Sequence, residues 1–131
     1  MATLLVPHEA ASAARVREQL TDDLRYHHVE TDSIDSVVLV ASELLGNAIR
    51  HAPAGSTGQL RVSWELDADA LFVSVADSGS DLPEPRMPVA TEPGGRGLTI
   101  VNALSYEWGF DRLPAGKRVW ARIPVRISSI A

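Results

Sequence analysis

Near residue 55 the apolar residues of this 131-residue chain change their spacing. Before that point Ile34, Val37, Val38, Ala41, Leu44, Leu45 and Ala48 fall mostly three or four apart, the repeat that gathers side chains on one stripe of a helix. After it Leu60, Val62, Trp64 and Leu66 alternate with Arg61, Ser63 and Glu65. Beyond a short Asp/Ala turn Leu71, Val73 and Val75 alternate with Phe72, Ser74 and Ala76. A period of two sends successive side chains to opposite faces of a strand, so this stretch predicts two antiparallel strands. Neither half can bury its apolar side alone, and laying the helix on the sheet satisfies both.

The same reading extends outward. A short strand-like start precedes Ala13, Val16, Leu20 and Leu24, which share one helical stripe between Pro7 and His28, with Arg15, Arg17, Glu18 and Asp22 among the polar positions. Thr31-Asp32-Ser33 offers side-chain oxygens to cap the second helix, and Pro53 and Gly55 stop it. From Ser78 to Gly95 there are four prolines, three glycines and several acids but no sustained apolar period, which predicts a loop. Loops of this length are uncommon in compact domains unless they are lids, binding loops or disordered, so function is expected near it. Leu98, Ile100, Val101 and Leu104 predict a short helix opening after Gly97. Trp108 and Phe110, then Val119, Ala121 and Ile123, predict two closing strands around Pro114-Ala115-Gly116. The expected fold class is α+β, a two-layer α/β sandwich whose mostly antiparallel sheet carries helices on one face, formed as a single domain over residues 1–131.

Charge narrows the partners. A formal net charge of −5 with no Lys/Arg run argues against direct binding of nucleic acid or an anionic membrane, since both need clustered positive charge. No cysteine is present, so disulfides, thiolate metal sites and thiol redox chemistry are excluded. The opening residues lack a basic n-region, and no apolar stretch approaches the length of a bilayer span, so a soluble cytoplasmic protein is expected.

Three places carry residue types suited to one ligand. Glu43, Asn47 and His51 recur at i, i+4 and i+8 on the second helix, where a carboxylate and an amide can converge beside the apolar stripe. Taken alone, the trio equally describes the polar face of any surface helix. Asp77 ends the second central strand and is followed by Ser78 and Gly79, which suits an acceptor for the amino protons of an adenine, or an ordinary Asp-Ser-Gly turn. Gly94-Gly95-Arg96-Gly97-Leu98 closes the loop and opens the next helix. Its N–H groups, with Arg96, can cradle phosphates, or the segment is a hinge and helix start. No G-x-x-x-x-G-K-[ST] occurs, so an ordinary P-loop is excluded.

Together and in this order, the three segments resemble a known superfamily. SELLGNAIRHA (Ser42 to Ala52) resembles the N-box of the Bergerat-fold ATPases, which include gyrase, sensor histidine kinases and anti-sigma kinases. ADSGS (Ala76 to Ser80) resembles the first glycine box, and GGRGLTIV (Gly94 to Val101) the second. The opening helix with Ala13-Ala14-Arg15, the closing WGF (Trp108 to Phe110) and GKRVWARI (Gly116 to Ile123) look like the anti-sigma factor serine kinase type of actinobacteria. The resemblance implies ATP and Mg²⁺ as ligands. Glu43 is then the base that takes a proton from a partner's serine, Asn47 the Mg²⁺ ligand, Asp77 with Gly79 the adenine contact, and Gly95, Arg96, Gly97 and Leu98 the phosphate wrap. It also implies a sigma factor and an anti-sigma factor antagonist protein as partners, and allows a homodimer.

Two positions depart from the family pattern. The last position of the first glycine box is Asp81, and Lys117 and Arg118 stand where relatives carry a Thr. Either departure is compatible with a reshaped pocket, weak nucleotide affinity or lost catalysis. The leading expectation is an anti-sigma serine/threonine protein kinase; the alternative is a non-catalytic nucleotide-binding partner-switch module. His8, His27, His28 and His51 have no metal-ligand spacing and read as surface or helix-end residues, and Trp64, Trp108 and Trp120 read as packing.

Overall fold

The computed structural model describes residues 1–50, 58–77, 96–113 and 116–128. Along the chain run β1 (Ala2–Pro7), α1 (Ser12–Tyr26), α2 (Thr31–Arg50), β2 (Gln59–Leu66), β3 (Ala70–Asp77), α3 (Arg96–Leu104), β4 (Glu107–Leu113) and β5 (Gly116–Pro124). The strands form one sheet in the order β1-β2-β3-β5-β4, and every neighbouring pair is antiparallel. The α+β architecture expected from the two periods is the one observed.

The central hairpin turns where the Asp67 N–H bonds the Ala70 carbonyl at 2.7 Å, which sets Leu66 opposite Leu71 and Val62 opposite Val75. β5 then pairs with β3, placing Val119 beside Val75 and Ala121 beside Val73. The strand-like start becomes the edge strand β1, with Val6 opposite Leu60. Register therefore stacks the alternating apolar residues of four strands on one face.

That face is covered by the helices. In α1 the residues Ser12, Val16, Leu20 and Leu24 are buried at a strict four-residue step. α2 lies against α1, α3, β3 and β5, and so buries more of its circumference than a surface helix does. Val40 and Asn47 join the predicted stripe for this reason, while Val38 and Ala48 sit at its margin. Leu20, Leu24, Leu44, Leu45, Leu60, Leu71 and Ile123 are fully buried, each worth about 1.5–3 kcal/mol of transfer free energy.

The other sheet face carries Phe72 stacked on Trp120 at 5.7 Å. Gly109 lies opposite Trp120, and a Cβ there would stand 3.0 Å from the indole, so a larger residue would need the ring to give by a few tenths of an ångström. Trp64 is core as expected, 4% exposed, with its indole N–H bonded to Asp23 Oδ2 of α1 at 2.8 Å.

α2 begins at Thr31 rather than after a cap at 31–33. The Ile34 N–H already bonds the Glu30 carbonyl, and the Ser33 hydroxyl instead accepts the Arg126 N–H at 2.8 Å. The chain after β5 is thus tied to the α1–α2 corner, where the Glu30 N–H reaches the Arg126 carbonyl and the Ser128 N–H reaches that of His28. His28 turns the corner with φ 64°, just past the end of α1.

Candidate functional site

Asp77 is the last residue of β3, and the period of two that buries Val73 and Val75 carries its side chain to the helix-covered face. It stands opposite Leu60, which stands opposite Val6, so a carboxylate ends an otherwise apolar row. Asp77 is 6% exposed. From α2, Asn47 comes down three residues beyond Leu44 and is 7% exposed.

These two side chains share one cleft. Its lining is Asn47 and Ala48 of α2, Val75 and Asp77 of β3, Phe110 of β4, and Lys117 and Val119 of β5. Apolar walls with a few polar groups are the usual make-up of a small-molecule site. The carboxylate can accept from an amino group, the amide oxygen can meet a hard cation, and the ammonium can meet an anion.

The other predicted site residues fall differently. Glu43 is half-buried on α2, one turn before Asn47, and does not line this cleft. Arg96, Gly97 and Leu98 form the first turn of α3, which starts at Arg96, two residues earlier than the sequence suggests, and α3 packs beside α2. Gly79, Asp81, Gly94, Gly95 and His51 lie outside the described residues, as does the Ser78–Gly95 loop.

Lys117 and Arg118 separate. The alternation along β5 turns Lys117 into the cleft with Val119, whereas Arg118 pairs with Asp111, its Nε 3.2 Å from Asp111 Oδ2. Carrying the Val119, Ala121, Ile123 period one step back would have found Lys117. Phe110 was legible as strand and not as cleft wall, because strand order decides which strand faces α2.

His8 had no local signal. Its Nε2 is 3.6 Å from Asp77 Oδ1, both side chains are 6% exposed, and neither ring nitrogen has a hydrogen-bond partner among the described residues. His27 and His28 stand at the end of α1, with His27 Nδ1 2.9 Å from the Asp23 carbonyl. Trp108 is half-buried, packed edge-on to Phe110 at 5.8 Å. No helix among the described residues is long and apolar enough to cross a membrane.

Comparison with known proteins matches this arrangement to characterised folds. The structure of the RsbU and RsbW domains of Rv1364c from Mycobacterium tuberculosis superposes with a TM-score of 0.71 at 21% identity, covering 98% of this chain and 33% of that one. The histidine kinase domain of the Erythrobacter litoralis blue-light activated histidine kinase superposes at 0.58 and 22% identity, covering 90% and 61%. The Acinetobacter baumannii histidine kinase AdeS does so at 0.52 and 17%, covering 95% and 68%. The chain thus spans a third of the first of these proteins and about three fifths of the second. Among curated proteins none matches. Residues 6–123 match the family described as Histidine kinase-like ATPase domain, and the chain belongs to that family.

Proposed function

We propose that the chain binds ATP with Mg²⁺ in the cleft between α2 and the sheet, and that it acts as an anti-sigma regulatory protein that phosphorylates a serine on an antagonist protein. One observation carries the reading: a buried amide, Asn47, and a buried carboxylate, Asp77, from distant parts of the chain line one cleft with Lys117.

Asp77 accepts the exocyclic amino protons of adenine, with Val75, Val119 and Phe110 against the ring. The triphosphate runs toward the start of α3, because a helix N-terminus favours anions. Among the described residues no cluster of three His, Asp or Glu could hold a metal by itself. The donor set fits a cation that arrives with the nucleotide, since Mg²⁺ is held by one or two protein oxygens plus phosphates and water. Asn47 supplies such an oxygen. When bound, Mg²⁺ neutralises charge on the phosphates.

In transfer, the serine hydroxyl oxygen of the partner forms a bond to the γ-phosphorus as the bond to the β,γ-bridging oxygen breaks. ADP leaves, and the hydroxyl proton passes to the Glu43 carboxylate. Glu43 stands one turn from Asn47, the proposed Mg²⁺ ligand, on the same helix, and that nearness supports its role as the base. The RsbW domain in the Mycobacterium structure supports the anti-sigma reading, and with it a sigma factor and an antagonist as partners.

A second reading has its own observation: Glu43 does not line the cleft, and Lys117 occupies it. In that reading the chain binds nucleotide and switches partners without transfer. Calorimetry with ATP, with and without Mg²⁺, tests the binding common to both; no heat of binding refutes both. Labelled ATP with a candidate antagonist then separates them, acid-stable phosphate on the partner marking the kinase. Glu43→Ala should abolish that label while changing ATP affinity less than about twofold. Undiminished transfer would remove Glu43 from its role.

A further inference from the structure

His8 follows the last residue of β1, two positions after Val6, and so returns to the face that carries Val6, Leu60 and Asp77 in one row. The turn holding it is pinned. The Glu9 N–H and the Ser12 hydroxyl both bond the Pro7 carbonyl at 2.8 Å, and the Ser12 N–H bonds the Glu9 carbonyl at 3.0 Å. The imidazole is therefore fixed between the edge strand and the start of α1, 6% exposed, with Nε2 3.6 Å from Asp77 Oδ1.

Both ring nitrogens are buried without a hydrogen-bond partner among the described residues. Leaving such a group unsatisfied costs about 1–3 kcal/mol, whereas an apolar ring of the same shape costs nothing of the kind. Packing alone would be better served by Phe or Leu. At 3.6 Å the Nε2 is just beyond hydrogen-bond distance from the carboxylate, and a shift well under the width of an atom closes the gap.

We infer that His8 is a positioning residue for the base-reading carboxylate: its Nε2–H holds Asp77 Oδ1 and so fixes the plane in which the carboxylate meets the exocyclic amine of an adenine. This inference rests on the assignment of Asp77 to the adenine. It makes base selectivity, rather than stability, the property that His8 controls.

The test compares His8→Gln, whose amide nitrogen reaches the place of Nε2, with His8→Asn, whose amide reaches only that of Nδ1, and with His8→Phe. Calorimetry reads the affinity of each for ATP and for purine riboside triphosphate, which lacks the amine, and thermal unfolding without nucleotide checks the fold. His8→Gln should keep the preference for ATP within about twofold, while His8→Asn and His8→Phe lose about tenfold of it. Equal preference in His8→Asn and His8→Gln overturns the inference, and so does an equal loss for both nucleotides, which marks a structural role. Because the Asn and Gln variants are both polar and no larger than His, the comparison stands even where the Phe variant fails to fold. Asp77→Asn is the control. If it loses the preference and the His8 variants do not, His8 alone is refuted; if it keeps the preference, the Asp77 assignment falls and this inference with it.

Discussion

Replacing Trp64 by Phe should remove about 2–3 kcal/mol of stability, and the contributions can be worked from the structure. The indole is 4% exposed and donates to Asp23 Oδ2 at 2.8 Å, tying β2 to α1. A hydrogen bond to a charged acceptor is worth about 1.5–3 kcal/mol, but the Asp23 side chain is 37% exposed and regains water when the donor leaves, so a value below that range, about 1 kcal/mol, applies. The phenyl ring also leaves roughly 40 Å³ empty at about 24 cal/mol per Å³, adding about 1 kcal/mol, with a few tenths more for lost apolar burial. For a chain of this size the midpoint should fall by about 6–10 °C.

A double-mutant cycle with Asp23→Ala isolates the bond, since the packing loss in Trp64→Phe does not depend on Asp23. The coupling energy should be about 1 kcal/mol. Losing the Asp23–His27 pair, 3.6 Å long and solvent-exposed, adds almost nothing to the single variant. A coupling below about 0.3 kcal/mol would show that the tie is not made in solution and that the whole loss is packing.

Asn47→Ala should make ATP affinity nearly insensitive to Mg²⁺, because the lost oxygen is the proposed protein ligand. Calorimetry at fixed ATP with and without Mg²⁺ reads this, and a Mg²⁺ effect as large as in the parent chain would clear Asn47 of that role. The cost in stability should stay below about 1 kcal/mol, since Asn47 lines the cleft and is not part of the apolar core cluster. His28→Gly should raise stability by about 0.5–1 kcal/mol, because φ 64° at the end of α1 strains a residue with a Cβ. The bond from the Ser128 N–H to its carbonyl is a main-chain contact and survives the change. A lowered midpoint in thermal unfolding would show that the imidazole itself holds the corner.

What the sequence reveals here is whatever depends on neighbours along the chain. The stripe Val16, Leu20, Leu24 and the alternation through Leu60, Val62 and Trp64 each report one element packing on one surface, and both are found where the period predicts. Asn47 and Val40 escape that logic because α2 is flanked by α1 and α3 as well as laid on the sheet, so its buried arc is wider than a single stripe. Strand order is equally silent in the sequence: β5 inserts between β3 and β4, and only that insertion makes Phe110 and Lys117 walls of the same cleft. His8 is the extreme case. Nothing within several residues of it signals a role, and its meaning comes from a carboxylate brought close by two strand registers.

The pair Lys117-Arg118, a departure from the family pattern, is resolved by the pleat of β5. Successive side chains of a strand cannot both enter the cleft. Lys117 does, and Arg118 is neutralised by Asp111 on the open face, so the hairpin contributes one positive charge to the site and not two. A lone ammonium among the cleft's lining residues raises the local potential, which favours an anionic ligand in a partly desolvated site. Transfer depends on a separate requirement, that the Glu43 carboxylate reach an incoming serine, and Glu43 stands outside the lining of this cleft. The kinase and the non-catalytic module thus share every group that holds the nucleotide, and they part at Glu43 alone. Measurements of affinity cannot divide them, whereas a single-turnover assay of labelled phosphate on the partner, run on the parent chain and on Glu43→Ala, does.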